Sequence, residues 1–154
     1  MKLRALGLLA LAAGVMLQAA PLKAHHSFAA EFDAQKVVKM KGYATKVEWT
    51  NPHVWFYLKV TEACTGAPGV AADQQQWKCT PVDASKNPIW GFEMGPPHGL
   101  QTRGWTRTTM KLGDEIVVVG TLARNGDNRG NARTVTMAAT GKAMGAASSE
   151  TEGQ

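Results

Sequence analysis

Residues 36–60 read KVVKMKGYATKVEWTNPHVWFYLKV, and its two halves carry the same signal in different phase. In the first half apolar residues alternate with polar ones, as on a half-buried strand. Val38 and Met40 share one face, yet beyond Gly42 the larger residues Tyr43, Val47 and Trp49 fall on the other parity. A bulge at Gly42 returns both sets to one core side and bends the strand sharply. Asn51-Pro52 then makes a turn. The second half alternates cleanly: Val54, Phe56, Leu58 and Val60 take one face, and His53, Trp55, Tyr57 and Lys59 the other.

Further along the chain, IWGFEM (89–94) reads as a third strand, and PPHGLQTRGW (96–105) as a turn into a short, glycine-limited helical segment. EIVVVGTLAR (115–124) and ARTVTMAA (132–139) flank NGDNRGN, whose glycine and asparagine content marks a hairpin loop. The expectation is an all-β domain over residues 25–140: a small five-stranded OB-like Greek-key barrel with a short helical segment between strands 3 and 4. A β-sandwich is the rival architecture. The tail, residues 141–154, has no β-branched or aromatic residue before Thr151 and reads as disordered.

Upstream, Lys2 and Arg4 precede an apolar run from Ala5 to Leu17, followed by small residues and Leu22-Lys23-Ala24. This is the pattern of a signal peptide over residues 1–24, cleaved at Ala24-His25 or, in the alternative, after Ala20. The run is too short for an ordinary membrane span of about 20 residues, so the expected product is periplasmic or secreted, with no integral membrane segment. Cleavage before His25 removes Lys2, Arg4 and Lys23 and lowers the formal net charge from +5 by three, leaving little bias toward an anionic partner. In an oxidising compartment Cys64 and Cys79 are expected to form a disulfide; their spacing is unlike the short Cys-x-x-Cys pairs of zinc sites.

The segments AHHSFAAEFD (24–33), KGYATKVEWTNPHVWFYLKV (41–60) and WGFEMGPPHGLQTRGWTRTTMKLGDEIVVVGTLARNGDNRGNARTV (90–135) together resemble a family of small exported bacterial proteins catalogued only as a domain of unknown function. The resemblance implies export and an OB-like β-fold. It implies no reaction and no ligand.

Two sets of residues carry chemistry. All four histidines, His25, His26, His53 and His98, sit in motif-like segments and none on an apolar strand face. A free N-terminal His25 would offer its α-amine and imidazole as a chelating pair, and His53 or His98 would complete a three-nitrogen copper(II) site. Met40 and Met94 are candidate thioether ligands for copper(I), against their more usual role as core filler. The second set is the outward face of strand two, where Trp55 and Tyr57, with Trp90, are placed to bind a small ligand, a saccharide or peptide rather than nucleic acid. The opposing reading has these rings covered by the cysteine loop or the N-terminal arm. No nucleophile elbow, zinc-protease helix or phosphate-binding glycine loop is present. The function expected is therefore a non-catalytic binding module, with a copper-handling protein as the alternative.

Overall fold

The computed structural model describes residues 28–86 and 88–146. The expected signal peptide, His25, His26 and residues 147–154 lie outside the described residues. The elements are α1 (Phe28–Glu31), β1 (Phe32–Glu48), β2 (Trp55–Thr65), β3 (Lys78–Pro81), a 3₁₀ turn (Ala84–Lys86), β4 (Ile89–Glu93), α2 (Pro97–Thr102), β5 (Glu115–Ala123), β6 (Arg129–Met137) and β7 (Lys142–Gly145). The protein is mostly β: seven strands form one mixed sheet in the order β1-β5-β6-β4-β2-β3, β1 also pairs with β2, and β7 pairs with β6. Five of them thus close a ring. The β4–β6 pair is parallel and the others antiparallel.

Closure depends on β1, which pairs with β2 along one edge and with β5 along the other. Its bend comes from two bulges, not one. Between Lys41 and Gly42 the extra residue is Thr61 on β2, so the inward parity of β1 runs on through Ala44. Between Ala44 and Lys46 the extra residue is Thr45 of β1, and this is where the parity changes, bringing Val47 and Trp49 inward. Tyr43, expected in the core, is consequently 45% exposed. Gly42 serves the close passage of the two strands instead, since a Cβ there would run into the backbone carbonyl of Lys59. A third bulge, at Val119/Gly120, leaves Arg133 as the extra residue of β6, and a Cβ at Gly120 would meet the carbonyl of Asn131.

Inside the ring the alternating residues of β2 meet those of β4 and β5. Phe56, Leu58, Phe92, Ile116, Val118 and Val135 are buried, and the Phe56 and Phe92 rings stack with centroids 5.5 Å apart. Met40 and Met94 belong to this core. A second, smaller cluster lies on the outside of the ring, where Phe28 and Phe32 pack with Ala123 against Ala34 and Trp55.

Two strands go beyond the five expected from the sequence. β3 is an exposed edge strand, joined to β2 where Cys64 faces Cys79, and the two sulfurs are bonded at 2.12 Å. β7 occupies a tail expected to be disordered. Met144 and Ala146 are buried, the Trp105 indole donates to the Gly145 carbonyl at 2.8 Å, and Gly95 donates to Ala146 at 2.7 Å. Those partners come from the region between β4 and β5, so composition alone does not reveal them. No helix among the described residues is long and apolar enough to cross a membrane.

Two measurements check this account. Gly42→Val should lower unfolding free energy by about 3 kcal/mol or more in denaturant melts, because a side chain there must displace backbone and not a mobile neighbour; a loss no larger than that of a surface change would disprove the close approach. The oxidised protein should show no thiol to alkylating reagents before reduction, and Cys79→Ser should cost about 3 kcal/mol, the chain-entropy value for a loop of about 15 residues.

Candidate functional site

Strand pairing places a continuous row of side chains around the outer face of the ring. Val37, Thr121, Asn131, Glu93, Trp55 and Glu48 are successive cross-strand neighbours on β1, β5, β6, β4, β2 and again β1. The bulge at Val119/Gly120 explains why Asn131 belongs to it. With Arg133 as the extra residue, Ala132 and Gly130 point inward, and a Cβ on Gly130 would lie 2.7 Å from the core ring of Phe92. Asn131 and Arg129 are left on the outside. A second row, Lys46, Tyr57, Gly91 and Arg129, runs beside the first.

These rows form a trough. Trp55, Tyr57, Ile89, Gly91, Asn128 and Arg129 line a cavity of about 320 Å³. Gly91 is its floor, since a Cβ there would stand 3.2 Å from the Tyr57 ring and 3.7 Å from that of Trp55. Cations stiffen both aromatic walls. The Arg129 guanidinium sits 4.9 Å from the Trp55 ring centroid, and Lys46 Nζ lies 5.1 Å from that of Tyr57. Tyr57 donates its hydroxyl to Glu48 at 2.9 Å, and Lys46 pairs with the same carboxylate at 2.6 Å. The hydrogen bonds from Lys46 and then Tyr57 hold Glu48 below the usual carboxylate range, while burial and then Glu48 push the Tyr57 hydroxyl up.

At the end of the trough the environment changes from aromatic to polar and dry. Glu93 is 8% exposed and contacts His53 Nδ1 through Oε1. Burial pushes the Glu93 carboxyl above its ordinary range; His53 opposes this, and the charge of nearby Glu31 adds to it. Alongside, Thr121 and Asn131 are 0% and 3% exposed, and neither Thr121 Oγ1 nor Asn131 Oδ1 has a hydrogen-bond partner. Buried polar atoms are rarely left so. They are outer-face residues, and the N-terminal hook, residues 28–32, packs beside them on Ala123, the strand-mate of Thr121, and on Trp55. Phe28 and Phe32 clamp the hook to Ala123 and Trp55, and Arg124 ties it down through Nε to the Ala29 carbonyl at 2.7 Å and through its backbone amide to Glu31 at 2.9 Å.

Of the residues named from sequence, Trp55 and Tyr57 share the trough and His53 stands at its end. Trp90 does not join them: it is the register partner of Leu58 and packs against the main core, because β4 keeps strict alternation and only Ile89, Gly91 and Glu93 face outward. His98 is exposed on α2. Met40 and Met94 are 3% and 2% exposed within the core, removed from any surface ligand set. Among the described residues, Glu62, Cys64 and Cys79 bring three ligating atoms within 4.8 Å of one another, but both sulfurs are taken by their mutual bond. Of the strand-two rings, Trp55 is met by the N-terminal hook, while Trp77 of the cysteine loop lies under Lys39 Nζ at 5.1 Å. Sequence reading misses Arg129, Gly91, Asn131 and Thr121. The first sits in the hairpin loop NGDNRGN, where its charge looks like ordinary solvation. Thr121 keeps the outward parity of Val117 and Val119 but looks like one more residue of an apolar strand, and Asn131 reaches the outer face only through a bulge that leaves no residue signature.

No curated protein and no solved structure matches the chain with significance. One family model does, over residues 12–81 and 79–133, and it spans the hook, the ring as far as the first half of β6, and every residue of the trough. By that match the chain belongs to the family of unknown function DUF6152.

Proposed function

We propose that this protein is an exported, non-catalytic binding module that takes a small ligand in the trough between Trp55, Tyr57 and Arg129. The observation that carries the reading is Gly91. A strand interior gains from a side chain, yet here the floor between two aromatic walls is bare, and the cavity of about 320 Å³ opens above it. The ring is read as an OB-like barrel. Its order β1-β2-β4-β6-β5, with α2 between β4 and β5, agrees with that topology, and the trough lies on the β2 and β4 face beside the β5–β6 loop, where such barrels take their ligands. Export is supported by the leader pattern of residues 1–24 and by the bonded cysteines.

Each ring already carries a cation on one face, so the ligand meets what the rings leave open, the Ile89 side chain and the guanidinium of Arg129. That combination suits a saccharide or short peptide with an acceptor group at the Arg129 end. NMR titrations with a soluble tetrasaccharide and with tripeptides serve as probes. A binding probe should shift the Trp55 indole and the Gly91 amide. Gly91→Val should then weaken that probe by about tenfold or more, equivalent to 1.4 kcal/mol, while changing the melting temperature little. Unchanged affinity in Gly91→Val, or shifts gathered on another face, would reject the trough as the site.

A further inference from the structure

The charges around the trough do not balance. None of its lining residues is acidic. Of the carboxylates on the surrounding face, Glu48 is taken by Lys46 and Tyr57, Glu93 by His53, and Glu115 by Lys41 at 3.1 Å. Asp127, in the loop before Arg129, accepts from the Asn125 side-chain amide at 2.8 Å. Two cations are left over. Arg129 lines the trough and Lys59 stands exposed on its rim, and among the described residues neither forms an ion pair.

Strand register fixes where these cations stand. Lys59 faces Ile89 and Arg129 faces Gly91, one on each side of β4, so their Cα atoms are roughly 12 Å apart at ordinary strand spacing and rise. Tyr43 is the other cross-strand neighbour of Lys59, and Tyr43 and Ile89 are 45% and 41% exposed. The apolar surface that begins at Trp55 and Tyr57 therefore runs on past Lys59 to β1. The backbone, by contrast, is closed. Trp55, Tyr57 and Gly91 each have a register partner on both sides, so no strand edge is open here for a peptide to join. A ligand in the trough is held by rings and cations alone.

We propose that the trough takes an acidic oligosaccharide, whose ring carboxylates are read by Arg129 and Lys59 while the sugars lie against Trp55, Tyr57 and Tyr43. The inference rests on the trough being the binding site. The two cations do different work. A guanidinium meets a carboxylate through two parallel hydrogen bonds and so fixes direction, and contact with Trp55 holds that of Arg129 at the trough. The exposed ammonium of Lys59 adds an attraction that salt screens.

The test titrates the folded protein, followed by NMR, with tetragalacturonate, with its fully methyl-esterified form, which keeps the rings and removes the charges, and with a triglutamate peptide. At low salt the acid should bind about tenfold or more tighter than the ester, shifting the Trp55 indole and the Gly91 amide, and added salt should narrow that gap. Arg129→Gln should remove most of the gap, and Lys59→Gln should weaken the acid by about threefold, with the ester little changed in both. Melting curves confirm that each variant is folded. Equal affinity for acid and ester, a full gap surviving in Arg129→Gln, or tighter trough binding by the peptide than by the acid would overturn the proposal and leave the trough standing. Absence of binding by the acid would overturn it too. Failure of the trough itself reads differently: the acid would shift residues on another face, and its affinity would be unchanged in Gly91→Val.

Discussion

At Gly42 the backbone carbonyl of Lys59 occupies the place where a side chain would begin. Everything else in the ring depends on that approach. β1 must pair with β2 on one edge and β5 on the other, and a 17-residue strand can do so only by coiling steeply. Glycine at the point of closest passage removes the steric obstacle, and the extra residues Thr61 and Thr45 absorb the mismatch in strand length. Gly120 repeats the solution against Asn131 on the far side. Two glycines and these bulges, with a further break in register between Asp33 and Val37, thus close a sheet whose ring strands would otherwise leave open edges.

The same bulges shape the outer surface. Each extra residue reverses the parity of one strand against its neighbour, and by this means Arg129 and Asn131 on β6 come into line with Gly91 and Glu93 on β4. The result is a face with two characters. Beside Gly91 it is an aromatic trough with cations on its walls, and beside Glu93 it is polar and shielded from water. Burial accounts for the difference, because Glu93, Thr121 and Asn131 are 8%, 0% and 3% exposed whereas the trough is open.

The hook also links fold and site. Four residues of helix have little stability of their own. Phe28 and Phe32 supply it, by burying their rings on the outside of a ring whose interior is already full, and Arg124 adds two hydrogen bonds to the hook's carbonyls. Trp55 therefore serves two groups of residues, contacting the hook and lining the trough. A change at Trp55 bears on stability and binding together, whereas Gly91 bears on the trough alone.

Periodicity in the sequence is sufficient for the five ring strands, for the short helix at 97–102, for the cysteine pair and for the outward direction of Trp55 and Tyr57, since each is a local property of residue type and spacing. It locates a phase change in β1 correctly but assigns it to the glycine, when the residue that alters parity is Thr45; a glycine bulge and a threonine bulge produce the same apolar pattern, and only the pairing partner distinguishes them. Trp90 shares the parity of Phe92 and Met94, so alternation within β4 already assigns it to the core side, away from Trp55 and Tyr57. β7 escapes periodicity because its four residues are held by Trp105 and Gly95, contacts more than 35 residues away in the chain. What the residues determine by themselves is which segments are strands and which of their faces are apolar. The placing of Glu93 behind His53, of Arg129 over Trp55 and of the hook against Trp55 belongs to tertiary structure, because it depends on register between strands that no local pattern records.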